Sequence, residues 1–158
     1  MNSLILRSSF VVLSAALLSP VANAQKYQSA SDAEVTKFVK QYVDSFNAED
    51  VTKVVDCHHF PHSALNQDEP LTIVNDRDEM QMEEFYQLIK NNFSWKENQI
   101  TKLSVLHSSD DKASVYLGMN GINTDGAPFT KVVGILGLSK VSGKWGFSQV
   151  SWHFPPAE

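Results

Sequence analysis

The stretch KASVYLGMNGINTDGAPFTKVVGILGLS, residues 112–139, decides the fold class. Two runs rich in Val, Ile, Leu and Tyr flank Thr124-Asp125-Gly126, and an Asp-Gly pair marks a tight hairpin because Gly tolerates positive φ. The spacing therefore predicts strands over Lys112–Asn123 and Phe129–Ser139. Side chains alternate along a strand, so Tyr116, Gly118, Asn120 and Ile122 share one face and Val115, Leu117, Met119 and Gly121 the other. The polar and aromatic face suits a cavity wall and the aliphatic face a packed interface, with the sequence leaving open which is which. In the returning strand Val132 to Leu138 hardly alternates, which predicts burial on both faces. Helices can cover one face of a sheet only. A second copy of the chain is the economical cover for the other, so a homodimer is expected, with a strand tucked under its own loops as the alternative.

Outward from that hairpin the period stays that of strands. Ile100–His107 is a strand ending in the turn Ser108-Ser109-Asp110-Asp111, and Val141-Ser142-Gly143-Lys144 turns the chain into a last strand, Trp145–Phe154. Upstream of Trp95 the period is helical. Ser31-Asp32-Ala33-Glu34 has the form of a capping box, with a helix following whose buried stripe is Val35, Phe38, Val39, Tyr42, Val43 and Phe46. Asn47 to Asp50 ends it and starts a shorter helix, Val51 to about Cys57, which Pro61 closes. Leu71–Val74 reads as a short strand. Asn75 to Asp78 is a turn that caps a third helix, Glu79 to Asn91. Helices first and then a strand meander give an α+β layout, with helices on one face of an antiparallel sheet.

The first two dozen residues read as a leader. Arg7 ends a short n-region, Ser8–Leu18 is apolar, and Val21-Ala22-Asn23-Ala24 presents an A-x-A site with cleavage expected before Gln25. The apolar run is too short to span a bilayer, so no membrane insertion is expected after cleavage and the product should be periplasmic or secreted. The domain is then residues 25–158. Loss of Arg7 takes the 13 basic residues to 12 against 18 acidic ones, a net charge of −6. That balance disfavours nucleic acid as a partner. The single Cys57 makes no internal disulfide and reads as a small buried hydrophobe.

Three strings carry a resemblance: Phe46-Asn47-Ala48-Glu49-Asp50, His59-Phe60-Pro61-His62 and Asn123-Thr124-Asp125-Gly126-Ala127-Pro128-Phe129. Together with the element order they resemble the SnoaL-like branch of the NTF2-like superfamily, in an exported subgroup. The resemblance implies a cone in which helices close over a strongly bent sheet, with one open mouth. It also implies that His62, after Pro61, faces the cavity. Ser63 and Ala64 stand where that subgroup often has a hydrophobic residue and Arg, which removes a cation that could meet an anionic ligand. The carboxylate constellations of the steroid-isomerase and epoxide-hydrolase relatives do not map onto this chain.

Cys57-His58-His59-Phe60-Pro61-His62 is the most unusual stretch. His59-x-x-His62 lacks a second ligand pair, so no metal site is expected. As pocket groups, His62 and His59 can act as acid or base near neutral pH. Tyr42, Tyr86, Trp95, Tyr116 and Asn120 are the candidate ligand contacts, with core packing the alternative for each aromatic. No phosphate loop, nucleophile elbow or cofactor motif is present. The expected function is binding of a small hydrophobic or amphipathic molecule. The alternatives are a cofactor-free lyase, isomerase or cyclase using a pocket His, and a protein-interaction module using the sheet.

Overall fold

The computed structural model describes residues 21–155, with side chains from residue 31 onward. Most of the expected leader, residues 1–20, lies outside the described residues. A long helix α1 (Val21–Asn47) is followed by α2 (Val51–Asp56), β1 (His58–Asn66), β2 (Thr72–Val74), a 3-10 turn (Arg77–Glu79) and α3 (Met82–Phe93). Four long strands complete the chain: β3 (Trp95–Ser108), β4 (Lys112–Asn123), β5 (Pro128–Val141) and β6 (Lys144–His153). The six strands form one sheet in the order β2-β1-β6-β5-β4-β3. Pairing is antiparallel except between β1 and β6, which run parallel, so the sheet is mixed.

Two expectations about the helices are corrected. The helix does not start at Ser31: residues 25–30 are helical and α1 begins at Val21, so cleavage before Gln25 would remove only its beginning. Asp32 and Glu34 are used sideways instead of as caps. Asp32 accepts a 2.5 Å bond from Ser108 Oγ, and Glu34 accepts from Lys140 Nζ at 2.6 Å and Trp145 Nε1 at 3.2 Å. Nor does Pro61 close the second helix. Its segment is β1, paired through Ser63–Asn66 with Gln149–Trp152 of β6 and through His62–Ala64 with β2.

The core lies between α1 and the sheet. Val35, Val39 and Val43 of α1 meet Ala113, Val115, Leu117 and Met119 of β4, Leu136 and Leu138 of β5, and Phe147 and Val150 of β6. Full burial of side chains of this size contributes on the order of 2 kcal/mol each, before chain entropy is counted. A second cluster packs Phe46, Val54, Val55, Met82, Tyr86 and Trp95 where α1, α2 and α3 converge, and Tyr42 borders both clusters.

These contacts settle the sidedness of β4. Its aliphatic face turns inward to α1, which puts Tyr116 and Asn120 on the opposite, outer face. There Tyr116 lies under Lys102 Nζ, 5.3 Å from the ring centroid. β5 alternates more than its sequence suggests. Leu136 is fully buried, whereas Ile135 is 42 % exposed on the outer side. Among the described residues no helix is long and apolar enough to cross a membrane.

Candidate functional site

The string Phe46 to Asp50 builds the corner in which β1 starts. Asn47 clamps α1 to β3 with two bonds, Nδ2 to Asn98 O at 3.0 Å and Oδ1 from Asn98 N at 2.8 Å. Glu49 adopts a left-handed backbone (φ 55°), and Asp50 caps α2 by accepting from Lys53 N at 3.1 Å. At the far end of α2 the partly buried Cys57 passes the chain to the sheet, its carbonyl accepting from Phe147 N at 2.8 Å. Burial pushes the Cys57 thiol up to about 11, so it stays protonated at neutral pH.

His58, the first residue of β1, is turned inward and buried. Its Nδ1 lies 2.9 Å from the Val54 carbonyl oxygen. A carbonyl only accepts, so Nδ1 carries the proton and Nε2 of the neutral ring is left an acceptor. Burial, reinforced by the neighbouring His62, pulls the His58 pKa down to about 4, despite the backbone bond that favours the charged form. His62 lies beside it, with ring centroids 4.9 Å apart, and is 3 % exposed. Burial lowers its pKa as well. His62 Nδ1 is sealed from solvent and has no hydrogen-bond partner among the described residues. A buried polar nitrogen left unpaired costs about 1–3 kcal/mol, so folded proteins rarely keep one without a use for it.

Aromatic rings wall this corner. Tyr42 of α1 stands edge-on to Phe147 at 4.8 Å and to His58 at 6.0 Å, and Phe60 lies 5.6 Å from His62. Burial, with Tyr86 and Cys57 nearby, raises the Tyr42 phenol, which is neutral at any physiological pH. Among the described residues no Asp or Glu is buried, and no group of three His, Cys, Asp or Glu is placed to hold a metal ion.

Of the sequence-predicted site residues, the structure sets His62 and Tyr42 around His58 and packs Tyr86 and Trp95 in the adjoining cluster that Tyr42 borders. His59 belongs elsewhere. Its ring covers Gly146, where an added Cβ would fall 2.5 Å from Nε2, and the same nitrogen sits 3.2 Å from Lys144 O. Tyr86 is buried with its hydroxyl donating to Phe46 O at 3.0 Å, and Trp95 Nε1 donates to Asn98 Oδ1 at 3.1 Å. Both have their polar ends committed to the scaffold. Tyr116 and Asn120, on the outer face, do not line the corner, which corrects the expectation that their face walls a cavity. His58 is the residue that sequence reasoning missed; its signal, an imidazole four residues after a helical carbonyl, needs the helix end to be known.

No protein-family model matches the chain, and no curated protein matches it. Solved structures do. An NTF2-like protein of unknown function from Pseudomonas putida superposes with a TM-score of 0.65 at 11% identity, covering 82% of this chain and 89% of the other. The fold is NTF2-like. Two further NTF2-like matches carry activity names of their own. A scytalone dehydratase-like protein from Novosphingobium aromaticivorans has a TM-score of 0.55 at 12% identity, covering 77% of this chain and 82% of that one. A ketosteroid isomerase-like protein from Erwinia carotovora atroseptica has a TM-score of 0.56 at 17% identity, covering 79% and 96%. At such identities the likeness is one of fold. Within this NTF2-like chain the histidine corner lies under α1, on the side of the sheet that the helices cover.

Proposed function

We propose that this chain is an exported small-molecule-binding protein whose site is the corner formed by His62, His58 and Tyr42. The observation that carries the reading is His62 Nδ1, a buried polar atom with no partner among the described residues, set among aromatic rings. A bound hydrogen-bonding group would satisfy it. Export rests on the leader sequence Met1–Ala24 alone. The outer sheet face, with Ile135 and Val133 at its middle, supports assembly as a homodimer.

A second reading, acid–base catalysis, is favoured by one feature: burial keeps His62 in its basic form near neutral pH. The dehydratase-like and isomerase-like names of the structural neighbours point the same way. Against it stands the absence of a buried carboxylate, among the described residues, to orient or recharge that imidazole. Binding is therefore the preferred reading. Mass spectrometry on the protein isolated from its native host would identify a retained ligand. His62→Ala should then keep near-native melting and lose that ligand, while His59→Ala should retain it. Loss of stability without loss of binding in the folded fraction would make His62 a structural residue and end the proposal.

A further inference from the structure

Among the described residues, the titratable groups packed around the corner are uncharged. From α1 comes the Tyr42 phenol, from the end of α2 the Cys57 thiol, from β1 the two imidazoles, and β6 supplies the Phe147 ring. The cations in the recorded ion pairs, Lys53, Arg77, Lys90 and Lys140, are paired at the surface with Asp50, Asp56, Glu49 and Glu34. Among the described residues no Asp, Glu, Lys or Arg is buried, so an anion or a cation entering the corner would meet no buried counter-charge. Either would have to shed its water without compensation. Protonating an imidazole to receive an anion is opposed by the same burial, and by the second ring 4.9 Å away.

The hydrogen-bonding pattern is more specific still. His58 Nδ1 is committed to Val54 O, so the free nitrogen of that neutral ring is an acceptor. His62, also neutral, offers one donor and one acceptor, and its buried Nδ1 has no partner among the described residues. The two rings are tilted by 37°, with Phe60 tilted beside His62 and the Tyr42 and Phe147 rings beside His58. A flat ligand that carries a donor next to an acceptor matches both rings at once.

Resting on the assignment of the corner as a binding site, we infer that it takes an uncharged, planar molecule with an amide-like donor–acceptor pair, and discriminates against anions and cations of the same shape. Benzamide, benzoate and benzamidinium form a near-isosteric set with charges of 0, −1 and +1, and serve as probes. Each is titrated at pH 7 into the full chain while the imidazole resonances of His58 and His62 are followed by NMR, with His62→Gln and His62→Leu run alongside. The expected result is saturable shifts of both rings with benzamide and at least tenfold weaker response to the two ions. His62→Leu should abolish the benzamide response, and His62→Gln, which restores a donor and an acceptor, should recover part of it and stands in should the Leu variant not fold. Benzoate or benzamidinium saturating the His62 signal as tightly as benzamide would overturn the uncharged class while leaving the site intact. Failure of all three probes to move the His62 ring would overturn both the class and the site.

Discussion

Lowering the pH from 7 to 4.5 puts a charge on His58 in the unfolded chain but not in the folded one. Burial holds the folded-state pKa at about 4 against an ordinary 6.5. The unfolded chain binds more protons throughout that interval, so the contribution of His58 is fully present above pH 6.5 and drains away as pH falls toward 4. Linkage with these values gives a loss of about 2.5 kcal/mol by pH 4.5. For a domain of this size that corresponds to roughly 10 °C in Tm. The assay is thermal or urea unfolding followed by circular dichroism at pH 7 and pH 4.5, for the native chain and for His58→Leu. The substitution should not strand the Val54 carbonyl, which also accepts from Cys57 N at 3.2 Å. The variant should keep the pH dependence of His62 and the surface carboxylates but lose about 2.5 kcal/mol less than the native chain over the interval. Parallel losses in the two proteins would refute the claim that His58 is held neutral inside the fold.

Three further outcomes are expected. Gly134→Ala places a methyl 2.3 Å from the Trp152 ring, which must swing off the inner sheet face, at about 1–3 kcal/mol and with a changed tryptophan emission; equal stability and an unchanged spectrum would contradict the packing described. Leu136→Lys should prevent folding because that side chain is fully buried, whereas Ile135→Lys on the outer face should fold and turn a native dimer into a monomer by light scattering, and a monomeric native chain would refute the dimer. The exported protein should have Gln25 as its first residue by intact mass, and retention of Met1 would refute the leader.

Much of the fold was legible because local signals agreed with one another. The Asp125-Gly126 hairpin formed as read, with Gly126 at φ +83° and Asn123 Oδ1 accepting from Asp125 N and Ala127 N. The stripe Val35, Val39, Val43 and Phe46 is buried as its spacing implies. β1 was not legible. His58–Asn66 shows no alternation, contains Pro61, and is stabilised by a parallel partner far along the chain, which no local pattern reports. The start of α1 was misread because Ser31 and Glu34 fit a capping box, while the Glu34 carboxylate serves Lys140 and Trp145 instead. The two faces of β4 could be separated by sequence but not assigned, since inside and outside depend on where α1 packs. For the candidate site, Pro61-His62 marked the imidazole that the structure buries beside His58. Its partner was hidden because His58 is held by a backbone oxygen, and a backbone oxygen has no sequence signature.

The parallel pairing of β1 with β6 also orders events in time. β6 is synthesised after the other five described strands, and His58 has no register partner in the sheet until Phe147 arrives. The long loop between them must close before β1 and β6 pair with each other, a step whose entropy slows folding. A nascent chain lacking its final segment can hold α1 against the β3–β5 meander, yet its imidazole corner stays unbuilt. Premature stops or C-terminal proteolysis beyond Lys144 should therefore leave a truncated body that retains much of its secondary structure and has no imidazole corner.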